Sequence, residues 1–274
     1  MITAQLKDGL GNRLFQVSAL LGYAERWSLK PVFFPGRIDH CIHEGADAGP
    51  SLFPDIPIVW DLDSGLTESA VTINELAKDC HSYVEREKPS LKLENSLIVL
   101  NGHFQSERYM PSKGITLNYA GLISPERMTE LQTHYRMCGW WVHVRLGDYM
   151  ILPHHQIDVR AYLAKALAAA DIPSGTSVAV YSDTLDIALR LLGGLRPDIV
   201  WVGPPEGLGT VETLYAMSLA DQGCICGNSS FSWWGAYGSA ARKAGRPVYF
   251  PGRWSQLGIA SEGIYPSWGT VIEF

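Results

Sequence analysis

Trp140-Trp141-Val142-His143-Val144, followed at once by Arg145-Leu146-Gly147-Asp148, is a short apolar run that ends abruptly in polar residues. The same figure recurs through the second half of the chain. Further apolar runs lie at 177–181, 199–202, 223–226 and 247–250, and between them come stretches with helical periodicity at 158–170, 184–192, 210–219 and 232–244. The first of these helices has Asp158 as its expected cap. Strands of four or five apolar residues alternating with helices of about ten imply right-handed β-α-β units. Such units build a parallel, doubly wound sheet.

The first half starts in the same way and then loosens. Residues 2–6 read as a strand, Gly9-Leu10-Gly11 as a turn, 12–27 as a helix and 31–34 as a second strand, whereas 35–63 carry the Gly, Pro and Asp of irregular loop. Another buried strand is expected at 97–100, and a helix at 124–136 leads into the second half. The expectation is therefore an α/β protein of two Rossmann-like domains, residues 1–136 and 137–274, with a cleft between them.

Composition bounds the partners. At 274 residues with 46% hydrophobic positions the chain can bury two moderate cores, and a formal charge of -6 offers no field for nucleic acid. The five cysteines, Cys41, Cys80, Cys138, Cys224 and Cys226, form an odd set without a second metal-ligand pair, as expected of reduced thiols in a cytoplasmic protein. Neither a signal peptide nor a run of about 20 apolar residues is present, so the expectation is a soluble chain without a transmembrane segment, with peripheral membrane contact left open.

In an open parallel sheet, ligands bind outside the carboxyl ends of the strands. The residues that fall there are His143, Arg145, Gly147 and Asp148, then Ser182 and Asp183, then Gly203-Pro204-Pro205-Glu206, then Asn228-Ser229-Ser230, and Arg253. Each has a plain structural alternative: a helix cap for the serines, an ion pair for Arg145 and Asp148, a packed core imidazole for His143. Their convergence on one sheet edge favours a site that meets an anion with an Arg and a helix start. Gly9-Leu10-Gly11-Asn12-Arg13-Leu14 lacks the third glycine of a dinucleotide fingerprint, and Asp61-Leu62-Asp63 resembles an acidic metal pair but has no sheet edge around it.

Four stretches together resemble the α-1,2-fucosyltransferases of glycosyltransferase family 11: 8–16 (Asp8-Gly9-Leu10-Gly11-Asn12-Arg13-Leu14-Phe15-Gln16), 102–109 (Gly102-His103-Phe104-Gln105-Ser106-Glu107-Arg108-Tyr109), 143–149 (His143-Val144-Arg145-Leu146-Gly147-Asp148-Tyr149) and 228–236 (Asn228-Ser229-Ser230-Phe231-Ser232-Trp233-Trp234-Gly235-Ala236). The resemblance implies a GT-B-like fold with an acceptor-side domain at 1–136 and a donor-binding domain at 137–274. It implies inverting transfer of L-fucose from GDP-β-L-fucose to a glycan hydroxyl, the 2-OH of a galactose residue, with no metal and no cofactor. It points Arg145 at the donor pyrophosphate, with His143 supporting that loop or the phosphate and Asp148 orienting the arginine. Ser229, Ser230 and Phe231 would offer N–H and hydroxyl donors to the phosphates, Asp183 would hold the nucleoside, and Asn12 would touch the sugar or its β-phosphate. Two positions depart from the family: Leu146 stands where a second Arg is usual, and Arg13 where Gln is usual, so that Arg13 is a candidate replacement charge. For the general base, Asp8, His103, Glu107 and His154 stay unseparated. The alternatives are transfer of another GDP-linked deoxysugar and a non-catalytic glycan-binding protein.

Overall fold

The computed structural model describes residues 1–40, 45–60, 70–90, 96–255 and 261–274. Cys41 and the Asp61-Leu62-Asp63 pair lie outside the described residues. The protein is mixed α/β with two parallel sheets, and it divides into two compact units, Met1–Asn118 with Ile259–Pro266 and Tyr119–Gly258 with Ser267–Phe274.

In unit 1, β1 (Ile2–Ala4) leads into α1 (Leu10–Trp27), and β2 (Val71–Asn74) and β3 (Ile98–Asn101) follow, the three strands lying parallel in the order β1-β3-β2. Helix α1 is buried along most of its length, including Leu14, Phe15, Val17 and Leu20. It ends where Ser28 turns left-handed (φ 53) and its N–H reaches back to the carbonyls of Ala24 and Glu25. Gly22 sets how closely it packs, because a Cβ there would overlap the carbonyl oxygen of Tyr109. Backbone cannot retreat as a side-chain tip can. Gly22→Ala is therefore expected to lower stability by about 1–3 kcal/mol, read as an earlier denaturant midpoint at unchanged m-value; an unshifted midpoint would mean that α1 does not lie against residue 109.

The expected strand at 31–34 is reduced to isolated bridges, Ile2 with Pro31 and Phe33 with Ile58. Pro31 has no N–H to give to a ladder. The sheet instead gains β2, whose alternation of half-buried and exposed residues is that of a strand covered on one face.

Unit 2 begins with α2 (Pro125–His134), which the sequence reading assigned to the first half. Its contacts explain the difference: Arg127 pairs with Glu212 at 3.1 Å, and Gln132 donates to the Tyr215 hydroxyl at 2.8 Å. Then come β4 (Cys138–Val144), α3 (Val159–Ala170), β5 (Ser177–Ser182), α4 (Leu185–Leu195), β6 (Val200–Val202), α5 (Thr210–Ser218), β7 (Gly223–Ile225), α6 (Ser230–Gly238), β8 (Val248–Pro251) and β9 (Thr270–Ile272). All six strands are parallel, in the order β6-β5-β4-β7-β8-β9. The Asp158 carboxylate accepts from the Ala161 N–H at 2.9 Å and caps α3. The helix expected at 232–244 breaks at Ser239, whose hydroxyl donates to Ala236 O at 2.7 Å and accepts from Arg242 N at 3.1 Å, ending one helix and capping the next.

The core of unit 2 is the aliphatic layer that such a sheet requires. Val142, Val144, Val178, Val180 and Ile225 pack with Leu163, Leu167 and Leu192, each burial contributing roughly 1.5–3 kcal/mol. Trp233 and Trp234 are fully buried, and a Cβ on Gly235 would overlap Met217 Sδ, so the Trp-Trp-Gly signature is chiefly the packing face of α6 against α5. Cys80, Cys138, Cys224 and Cys226 are free thiols, and burial pushes Cys224 up to about 12, far from reactive thiolate. Among the described residues no helix is long and apolar enough to cross a membrane, and no three His, Cys, Asp or Glu gather where they could hold a metal ion.

Candidate functional site

The strand order of unit 2 reverses at β4. From β4 the chain moves outward through β5 to β6, then returns to β4's other side with β7 and continues through β8 to β9. Loops leaving β4 and β7 depart in opposite directions and open a crevice between them, the topological switch point of a doubly wound sheet. Arg145 follows β4, and Asn228-Ser229-Ser230 follow β7. The two loops touch, since a Cβ on Gly227 would sit 3.1 Å from His143 O and 3.6 Å from Arg145 N.

Arg145 is fixed by two carboxylates. Asp148 Oδ1 accepts from one terminal nitrogen at 2.7 Å, and Asp183 Oδ2 pairs with the other at 2.9 Å. The Arg145 side chain keeps about a quarter of its surface exposed (24%), and the Tyr149 ring lies 5.4 Å from its guanidinium carbon. Two carboxylate contacts engage only part of the five-donor fork, leaving a planar cation in a set direction.

Asp183, expected to hold a nucleoside, is engaged inside this crevice by the loop after β4. Its Oδ1 accepts the Leu146 N–H at 3.0 Å while Oδ2 pairs with Arg145, and Gly147 passes so close that a Cβ would overlap Oδ2. Both oxygens contact the loop after β4, so Asp183 positions Arg145. The Leu146 side chain packs against the apolar core, where it contributes no charge.

Ser229 is the N-cap residue of α6 and makes no side-chain cap bond; Ser230 and Phe231 open the helix. The first-turn N–H groups of a helix have no intrahelical partner, so this start offers donors at the crevice. Beneath it, Ser232 Oγ accepts the Gly227 N–H at 3.0 Å. Asn228 ties the crevice loops together, donating from its amide to His155 O at 2.9 Å and to Trp254 O at 3.2 Å. His155 in turn stacks on Tyr149 at 4.3 Å. Tyr149, His155 and the bridging use of Asn228 were missed by sequence reasoning, although Tyr149 and Asn228 stand inside the quoted motifs.

His143, at the end of β4, is buried beside Phe231, with ring centroids 6.1 Å apart. Burial, then the neighbouring Arg145, drives its pKa down to about 4. It is a neutral imidazole near pH 7 and supplies no charge. Its Nδ1 has no hydrogen-bond partner among the described residues.

Arg13 and Asn12 belong to unit 1. Arg13 is fully buried, donating to Asp8 O at 2.9 Å, to the Asp39 carbonyl and to Asp47 Oδ1 at 3.1 Å. This corrects its reading as a replacement charge: a guanidinium with 0% exposure, its donors on two backbone carbonyls and the Asp47 carboxylate, holds the loops together and meets no phosphate. Asn12 stands in the first turn of α1, whose N-cap is Gly9, so the amide does not serve as the cap. Its Oδ1 accepts from Gln105 at 2.7 Å, which fixes the orientation of the amide.

No protein-family model matches the chain, and no curated protein does. Among solved structures, a glycosyltransferase from Rickettsia africae ESF-5 is similar at 11% identity, covering 99% of this chain and 84% of that one, with a TM-score of 0.38. A likeness of that size carries no argument about chemistry.

Proposed function

We propose that the chain is an inverting glycosyltransferase that moves L-fucose from GDP-β-L-fucose to a glycan hydroxyl, the 2-OH of a galactose residue, without a metal or cofactor. A GT-B-like fold is part of this proposal. The observation that carries it is Arg145, aimed by Asp148 at 2.7 Å and Asp183 at 2.9 Å beside the first turn of α6 at the switch point of the sheet. A leaving diphosphate gains negative charge as its bond to the sugar breaks. A preorganised guanidinium and helix N–H groups stabilise that charge where other transferases use a cation. In this reading His143 shapes the loop as a neutral group, Ser229, Ser230 and Phe231 meet the phosphates, and Asn12 contacts the sugar end of the donor. The identities of guanine, fucose and galactose rest on the resemblance of the four motifs.

The test is incubation with GDP-fucose and galactose-terminated glycans in excess chelator, the products being identified by mass and linkage. An α-1,2-fucosylated product formed at the same rate with and without chelator is expected. Activity lost in chelator and restored by Mn²⁺ or Mg²⁺ contradicts the metal-free mechanism; no product with any glycan contradicts the proposal. Leu146, packed into the core where the family carries a second cation, favours one other reading, transfer of a different GDP-linked deoxysugar, so the donor panel includes those nucleotides.

A further inference from the structure

Unit 1 carries a polar edge of its own. Strands β1 and β3 run parallel in register, Ala4 beside Leu100, so the residues that follow them meet although they are 95 positions apart. The ring nitrogen Nε2 of His103 lies 2.7 Å from Asp8 Oδ2. Of the four proton acceptors that the sequence left unseparated, these are the two that the fold joins.

Three features hold the pair in place. Phe104 is left-handed at φ 52, a conformation that a bulky residue avoids unless the surroundings impose it, and Asp8 is left-handed at φ 62, which its short polar side chain tolerates. The half-buried Glu75 carboxylate accepts the N–H groups of His103 at 2.6 Å and Phe104 at 3.0 Å. Gly102 permits this, since a Cβ there would overlap Glu75. Beside the pair, Gln105 donates to Asn12, and its own buried Oε1 has no hydrogen-bond partner among the described residues.

The pair itself stays open, with 32% of the His103 side chain and 50% of the Asp8 side chain exposed. A carboxylate can only accept, so Nε2–H donates to Asp8 and the lone pair lies on Nδ1. A carboxylate on the far nitrogen also stabilises the imidazolium that forms when the ring takes a proton.

Resting on the transfer reaction proposed above, we infer that His103, oriented by Asp8, is the base that takes the proton from the acceptor hydroxyl. The acceptor oxygen bonds to the anomeric carbon as that carbon's bond to the diphosphate oxygen breaks, the electron pair leaving with the diphosphate. The hydroxyl proton passes to Nδ1, and the imidazolium, paired with Asp8, returns it to water after the product departs. An exposed structural ion pair, the plain alternative, would contribute little and leave the chemistry untouched.

The experiment compares two nucleophiles with GDP-fucose as donor: a galactose-terminated glycan, which must lose a proton, and azide, which has none to lose. His103→Gln and His103→Ala are expected to lower glycan transfer about 10²- to 10⁴-fold, with GDP affinity, thermal midpoint and azide turnover as in the wild type. Added imidazole should restore glycan transfer to His103→Ala. Asp8→Asn, which keeps the imidazole, should lower glycan transfer at least about 10-fold and spare azide. Parallel loss of glycan and azide turnover in a folded variant overturns the assignment, as does near-normal glycan transfer by His103→Gln or by Asp8→Asn. A wild-type protein that releases GDP with neither nucleophile overturns the transfer reading itself, and this inference with it.

Discussion

Arg145→Ala is expected to lower glycosyl transfer by about 10²- to 10³-fold while the protein stays folded. The residue lies beyond the end of β4, and its contacts are with two partly exposed carboxylates, so little packing is lost with it. What disappears is a guanidinium fixed at the switch point, whose interaction with the diphosphate strengthens as charge develops on the leaving group. The loss should therefore appear in kcat, with kcat/KM lowered at least as much. Arg145→Lys should fail almost as badly, because a single ammonium cannot pair with Asp148 and Asp183 at once and still present a planar fork. Steady-state kinetics beside thermal melts check both. Near-normal turnover in a folded Arg145→Ala protein would remove the diphosphate from this crevice.

Asp183→Ala should lower transfer on the order of 10²-fold, the loss expected when a catalytic group is displaced by about 1 Å. The carboxylate contacts the reaction through Arg145 and the Leu146 N–H. If that is its whole role, the two substitutions are not independent. Asp183→Ala added to Arg145→Ala should then change turnover little further, a non-additive cycle. If Asp183 held the nucleoside instead, the two losses would multiply and KM for the donor would rise in the double variant. Kinetics on both single variants and the double variant distinguish these outcomes.

The contrast between Asp183 and Arg145 shows how far the residues could be read in one dimension. The second half was legible because each buried strand is a compact apolar run bounded by a helix with its own period, and the polar residues after each run must then share an edge. β9 was not legible, being three residues at the sheet's outer edge, and neither was β2, where only one face is covered. Pro31 gave an apolar run without the N–H of a strand. Within the site, Arg145 and Asp148 are three residues apart and could be paired on paper. Asp183 reaches the same guanidinium from a neighbouring strand, and His103 reaches Asp8 only because β3 lies beside β1. Arg13 shows the opposite failure. A cation inside a polar motif reads as functional, yet two of its partners are backbone carbonyls that no pattern of side chains announces, and the third, Asp47, stands 34 positions away.

The central claim is that the edge of unit 2 holds the diphosphate of a guanosine nucleotide. Calorimetric titration of the wild-type protein with GDP in excess chelator, with UDP and ADP as comparisons, tests it most directly. Saturable binding of GDP, stronger than that of UDP or ADP and weakened at least about 10-fold by Arg145→Ala, is the predicted result. No GDP binding, or equal affinity in the wild type and a folded Arg145→Ala protein, would contradict it.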